Sequence, residues 1–341
     1  MIFIKTEANE KVGGGHLGRS FSLAVEFVNR GYKVNIILSN TPTRIINAYK
    51  HKDISFQFIS DNDKYNLNSY LSFIPAQSTI IFDNDDNKYY SGKLIRGLRE
   101  FGIRTVCFTI SDKGFIETDF LINPNIISLS QSYHTAPHTI LLLGPEYMIF
   151  NKLYRGIKVE KTYKKHYGFS LMITFGNADV CDLTILFLKV LASKKFSFSK
   201  VYVIVGKLVS NLSEISKLSE KAKENNVEVL YNTEDLRAFY ANVDAIITSG
   251  GMSMWEGIVF ALPAIVFASS NRELEYVDYM MKQKFIYKFG DFRALPDTNC
   301  IAALLNEIPD KIKDKDKLQI NQLIEKVDTN GIYNIIDRLI E

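Results

Sequence analysis

The chain has 341 residues, 46% of them hydrophobic and 23% charged, with a formal net charge of +3. That length favours two domains over one, and the composition is that of an ordinary globular protein with a sizeable core. So small a charge argues against nucleic acid as the main partner, a role that needs a concentrated basic face.

In chain order, a short β-rich run over 2–6 precedes a helix over 16–30, where Leu17, Phe21, Ala24 and Val28 recur at helical spacing and Gly31 is the stop. Strands follow at 33–39 and 54–60, with a helical stretch over 43–49 between them. A strand at 78–83, a helix over 89–101, and strands at 104–110 and 119–124 complete the first half. "TILLLG" and "AIVFA" are strand-sized, and no apolar run reaches the roughly 18 residues of a spanning helix. The pattern restarts with strands at 169–176, 200–206, 227–232, 245–251 and 263–268, alternating with helices over 181–194, 212–225 and 234–241. A last amphipathic helix over 317–339 is placed to pack back across the junction. Alternating strands and helices specify parallel sheets covered by helices. The expected fold class is therefore α/β, with two Rossmann-like doubly wound domains, 1–150 and 151–341, facing a central cleft. The basic stretch "VEKTYKKH" reads as a solvated linker. Cys107, Cys181 and Cys300 lack metal-like spacing and read as free thiols of a cytoplasmic protein, and no leader peptide is evident.

Ligands of open α/β sheets bind beyond the carboxyl ends of the strands. Two glycine-rich stretches fall there. In "KVGGGHLGRS", Gly13-x-Gly15-x-x-Gly18 satisfies the dinucleotide-binding pattern. That reading also requires the glycines to follow the first strand directly and an acidic residue to end the second. Here "EANEKV" intervenes and the second strand ends "ILSN", so both requirements fail. The alternative is a glycine turn, Gly14 and Gly15 included, that lets a ligand approach and presents His16 at a helix start as a general base. A plain N-cap or surface histidine is the competing explanation. Arg19, one turn on, either neutralises a sugar site or only fixes the helix.

The second stretch, "TSGGMSMWEG", follows a strand and opens a helix. Free N–H groups and the positive end of the dipole make an anion site there. Small residues Ser249, Gly250, Gly251 and Ser253, with Met252, admit a diphosphate, and Glu256 falls where it can accept from a ribose. A simple glycine turn with a surface glutamate is the bland alternative.

The segments "GGGHLGRSFSLA", "LLGPEYMIF", "ITFGNAD" and "AFYANVDAIITSGGMSMWEGIVFALPAIVFASSN" resemble, in that order, the motifs of the UDP-sugar hydrolases of pseudaminic acid biosynthesis. They are also similar to spore-coat polysaccharide biosynthesis proteins and, more distantly, to the lipid-linked N-acetylglucosamine transferases of peptidoglycan synthesis. All share the two-domain GT-B architecture. The resemblance implies that Gly250, Gly251 and Met252 hold a nucleotide diphosphate, that the loop Gly13 to Gly15 faces its other side with Gly14 and Gly15 in contact, that Glu256 holds the ribose, and that His16 activates water for inverting attack at the anomeric carbon. It implies that Asn271 lies near the sugar and that Asn177 and Asp179 line the cleft. The expected activity is hydrolysis of a UDP-sugar in surface-glycan biosynthesis. The rival is transfer of the same sugar to a glycan or lipid-linked acceptor, with peripheral membrane contact; a binding protein with a degraded site is a third reading. The sequence departs from the pattern in having Asp85 for a tyrosine, no aspartates at Ile110 and Ser111, and Arg272 for a glutamine. Asp83 and Asp85 in "FDNDDN" fit a metal-diphosphate D-x-D, but they are placed here as sugar-contacting carboxylates, with no metal and no cofactor expected.

Overall fold

A computed structural model of the chain describes residues 1–9, 14–47, 49–84, 89, 92–109, 112, 114–157, 168–313 and 319–341. The chain divides into two compact units, one formed by 1–155 together with 327–341 and the other by 156–326.

The first unit runs β1 (Ile2–Thr6), α1 (Gly15–Asn29), β2 (Val34–Leu38), α2 (Thr43–Ile46), β3 (Ile54–Phe58), α3 (Leu67–Leu71), β4 (Thr79–Asp83), α4 (Lys93–Glu100), β5 (Arg104–Phe108), β6 (Phe115–Ile116), β7 (Phe120–Asn123), β8 (His134–Thr135) and β9 (Ile140–Leu143). Among the described residues its main sheet is parallel, with order β3-β2-β1-β4-β5-β7-β9. Every residue of β1 is buried, as expected of a strand with helices on both faces. One face packs Ile2, Ile4, Ile36 and Leu38 against Leu17, Leu23, Ala24 and Phe27 of α1. The other packs Phe3, Ile37, Ile80 and Phe82 against Tyr70, Leu94, Ile95 and Leu98.

The second unit runs β10 (Phe169–Thr174), α5 (Leu183–Ser193), β11 (Phe198–Val205), α6 (Leu212–Ala222), β12 (Val227–Tyr231), α7 (Arg237–Tyr240), β13 (Ala245–Ser249), α8 (Met252–Val259), β14 (Ala264–Ala268), α9 (Asn271–Lys282), β15 (Tyr287–Asp291), α10 (Thr298–Lys313) and α11 (Ile320–Ile324). Its parallel sheet has the order β12-β11-β10-β13-β14-β15. The chain then returns to the first unit as α12 (Gly331–Ile340), whose Ile332, Ile335, Ile336 and Leu339 join the α1-side core. Gly331 is needed there, because a Cβ would lie 2.6 Å from the Met148 nitrogen and 2.8 Å from the Glu146 oxygen.

The α/β class with parallel sheets follows the sequence pattern, and the differences are local. The single helix expected over 317–339 is two, α11 and α12. Between them the Asp328 carboxylate accepts from Asn330 N–H at 2.8 Å, a turn that competes with helix. α2 stops at Ile46 rather than 49, in a segment whose Thr43, Ile45 and Ile46 are β-branched and disfavour helix. α7 begins three residues later than expected, because Asp235 binds both the backbone and the guanidinium of Arg237. α3, α9, α10 and β15 appear where no element was expected. Gly13, Asp85, Ile110, Ser111 and the "VEKTYKKH" stretch lie outside the described residues.

Candidate functional site

In each sheet the strand order reverses once at the middle, between β1 and β4 in the first unit and between β10 and β13 in the second. Such a reversal splays the two connecting loops and opens a crevice at the carboxyl ends. All the described candidate residues fall on loops, strand ends or helix starts beside these two points, Asn271 one strand further out.

In the first unit, parallel register pairs Thr6 with Asp83, so the last residue of β4 lies beside the last residue of β1. α1 starts above them without a capping side chain among the described residues, Gly14 standing at the N-cap position. His16 and Arg19, one turn apart, both reach Asp83. His16 Nδ1 lies 2.8 Å from Asp83 Oδ1. Arg19 donates from Nε to Oδ2 at 3.0 Å and from Nη2 to Oδ1. Ser20 Oγ donates to Oδ2 at 2.9 Å. The arginine also lies over the Phe108 ring, 4.9 Å from its centroid. Asp83 is 1% exposed and His16 6%. Burial alone would raise the Asp83 pKa; the Arg19 charge and the contacts with His16 outweigh it and hold the carboxyl well below the usual range. An ionised Asp83 favours the imidazole tautomer with its proton on Nδ1, which leaves Nε2 as the basic nitrogen.

Asp83 was expected to contact sugar. It is instead the partner of His16 and Arg19, and its burial among them leaves that expectation uncorroborated. A Cβ on Gly15 meets no described atom within 4 Å, so packing does not require that glycine. Sequence reasoning missed Ser20, one helical turn beyond His16. It also missed Lys5, which faces the opposite side of β1. That ammonium is buried, donates to Ser39 Oγ at 2.7 Å and Thr6 O at 3.2 Å, and lies 5.5 Å from the Tyr89 ring. Burial lowers its pKa to about 8.

In the second unit, Gly251 is the N-cap of α8, again without a capping side chain among the described residues. Ser249 is buried at the end of β13, and Met252 and Ser253 form the first turn with some exposure. The Gly250 N–H, expected to face a diphosphate, donates instead to Glu273 Oε2 at 3.1 Å, and its carbonyl accepts from Tyr276 OH. Its missing side chain reflects close packing: a Cβ would lie 3.0 Å from Val277 Cγ2 and 3.2 Å from Glu273 Cβ. Of the backbone N–H groups expected to meet an anion, this leaves those of Gly251, Met252 and Ser253 at the start of α8. Glu273 also accepts from Ser269 N–H at 2.8 Å, tying the ends of β13 and β14 together. Burial pushes its carboxyl up, against the pull of those two N–H groups and of Arg272. The sequence signal was there in Ser270-x-x-Glu273, since Ser270 Oγ caps Glu273 N–H at 3.2 Å.

Glu256 sits in the second turn of α8 and accepts from Tyr240 OH at 3.1 Å, a buttress the sequence did not reveal. Asn177 follows Gly176, whose φ is +77°, and is exposed, as is Asn271 at the first position of α9. Gly206 must lack a side chain, because a Cβ would overlap the Gly176–Asn177 backbone. Asp179 does not line a crevice. It is buried, and its oxygens accept from Leu183 and Thr184 N–H at 3.0 and 2.7 Å, capping α5.

No protein-family model matches the chain. It is similar to an uncharacterized protein of Methanocaldococcus jannaschii, 25% identical over 289 residues and 82% of this chain. It is also distantly related to the spore coat polysaccharide biosynthesis protein SpsG of Bacillus subtilis, 20% identical over 188 residues and 54% of this chain. The chain spans 58% of the first relative's length and 54% of the second's. Among solved structures it is similar to Acinetobacter baumannii MurG (TM-score 0.62, 11% identity, 99% of this chain and 98% of that one). The calicheamicin glycosyltransferase CalG4 superposes with a TM-score of 0.64 at 10% identity, over 99% and 97% of the two chains. Anabaena HepE, solved with UDP, matches at 0.56 and 13% identity, over 100% and 99%. The fold is GT-B. The expectation of membership in the pseudaminic-pathway hydrolases narrows to this GT-B fold with a distant spore-coat relative. Among the described residues of the GT-B chain, no helix is long and apolar enough to cross a membrane.

Proposed function

We propose that the protein is an inverting glycosyltransferase, using a nucleotide-diphosphate sugar to glycosylate a hydroxyl acceptor in glycan biosynthesis. The observation that carries this is the buried His16–Asp83 pair at the switch point of the first sheet. His16 Nε2 takes the acceptor O–H proton as the acceptor oxygen bonds to the anomeric carbon. The bond from that carbon to the diphosphate breaks on the opposite face, and the electron pair leaves with the nucleotide. Asp83 orients the ring through Nδ1–H, so that Nε2 is the nitrogen presented. The second unit holds the nucleotide: the N–H groups of Gly251, Met252 and Ser253 at the start of α8 meet the diphosphate and its growing charge. Glu256, held by Tyr240, accepts from the ribose. Asn177 and Asn271, both exposed, contact the sugar.

Support comes from the GT-B fold, from structural neighbours that include the calicheamicin glycosyltransferase and a protein solved with UDP, and from a relative named for polysaccharide biosynthesis. UDP is accordingly the first nucleotide to test. Hydrolysis is the same chemistry with water as acceptor, and one experiment separates the two. The purified protein is incubated with UDP-, GDP- and CMP-sugars and followed by phosphorus NMR, with and without a pool of glycan and lipid-linked acceptors. Nucleotide release that requires acceptor is expected. Release at an equal rate without acceptor makes the enzyme a hydrolase, and no nucleotide binding at all removes both readings. His16→Asn is expected to lower turnover by about 10²–10⁴-fold while leaving the nucleotide Kd within about twofold. Retained turnover in that variant would overturn the base assignment.

A further inference from the structure

We infer that Arg19 is a positioning residue that keeps the His16 imidazole uncharged by sharing the Asp83 carboxylate with it. The inference rests on the reading of His16 as the base. A buried carboxylate facing an imidazole stabilises the imidazolium and so lowers the share of free base at neutral pH. Here the same oxygen, Oδ1, serves both His16 Nδ1 and Arg19 Nη2, while Arg19 Nε holds Oδ2 at 3.0 Å. Arg19 Nη2 also lies 3.2 Å from His16 Nδ1 itself.

With a neutral ring, Arg19 and Asp83 sum to zero charge. Protonating the ring places a second cation beside a guanidinium that never loses its proton. The His16 ring is 6% exposed and the Arg19 side chain 20%, so water screens that pair only in part. The guanidinium is held with its Cζ 4.9 Å from the Phe108 ring centroid, and its carboxylate partner is pinned by Ser20 Oγ at 2.9 Å.

The neighbouring groups can be placed. Among the described residues, the charged side chains within hydrogen-bond reach of His16 include Asp83 from β4 and Arg19 from its own helix. β5 contributes the Phe108 ring and β1 the uncharged Thr6, in register with Asp83. Lys5 faces the other side of the sheet, toward Ser39. Glu26, further along α1, pairs with Arg30 and Arg155. Glu10 and Lys11 before the helix, and Asp85, Asp86 and Lys88 after β4, lie outside the described residues.

The test is an NMR titration of the His16 ring in the full chain without substrate, its resonance assigned by its loss in His16→Asn. In Arg19→Met the midpoint is expected to rise by about one pH unit or more. In Arg19→Lys, whose ammonium cannot grip both oxygens, it is expected to rise by less. The acid limb of the kcat/KM profile moves up with it. An unchanged or lowered midpoint in folded Arg19→Met overturns the inference. If that variant does not fold, Arg19→Lys decides: a rise supports the role and no rise removes it. Because the titration needs no turnover, its failure leaves the base assignment standing, and full turnover by His16→Asn sinks that assignment whatever Arg19 does.

Discussion

Asp83 is an ionised group in one of the least exposed places of the first unit, and three donors on one helix make that tolerable: His16, Arg19 and Ser20. The sequence named His16, Arg19 and Asp83 but set His16 to catalysis and the other two to the sugar. Their spacing of 67 residues between His16 and Asp83 carries no contact information; only the register of β1 with β4 brings them together. Gly250 is the converse case. Its motif looked like an anion loop, yet its N–H serves Glu273, because a glycine-rich turn and a close helix packing leave the same mark on a sequence. Lys5 left no mark at all: one cation in an apolar run reads as an exposed edge position. Its folded pKa of about 8 lies below the ordinary 10.5. Between those values the unfolded chain holds a proton that the folded chain has released, so stability rises with pH across that window. The gain expected by pH 10.5 is up to about 3 kcal/mol. Below pH 8 the full desolvation cost remains. Urea unfolding at several pH values, compared with Lys5→Met, checks this: the difference in stability between the two proteins should shrink from pH 8 to 10.5, and a constant difference would refute it.

Helices and strands were legible where burial is two-sided. β1, β4, β10, β13 and β14 are apolar runs, and each appears within a residue or two of its expected place. The missed elements lack that contrast. β15 is an edge strand, half-buried throughout, with Gly290 and Asp291 in it. α10 carries Pro309 in its interior, normally a stop signal. α12 was expected as part of a longer helix, and its separate start depends on one glycine. Gly331→Ala places a methyl against the Met148 and Glu146 backbone, which cannot rotate aside as a side chain would. The expected cost is about 1–3 kcal/mol, visible as a lower denaturation midpoint. Gly257→Ala is the useful control, since the Cβ there meets the flexible end of Ile246. Equal losses in the two variants would mean that the α12 contact is not the reason.

At the scale of the whole molecule, the first unit is discontinuous in sequence, its core closed by residues 327–341. Four α12 side chains are buried there, Ile332, Ile335, Ile336 and Leu339, each contributing roughly 1.5–3 kcal/mol. Their sum is comparable with the entire stability of a typical domain, about 5–15 kcal/mol. Truncation after Lys326 is therefore expected to unfold the first unit while the second keeps its cooperative transition, as followed by hydrogen exchange. Protection of α1 that survives truncation would contradict this. The second unit, 156–326, is by contrast one uninterrupted stretch.

That arrangement orders events during synthesis. The ribosome completes every residue of the second unit before the last helix of the first exists. At about 5–20 residues per second, the interval between Arg155 and Val327 is on the order of ten to thirty seconds. For that time the apolar cluster that holds Ile2, Leu23 and Phe27 lacks the four side chains that α12 adds to it. A nascent chain in this state is a natural client for a chaperone that holds apolar surface.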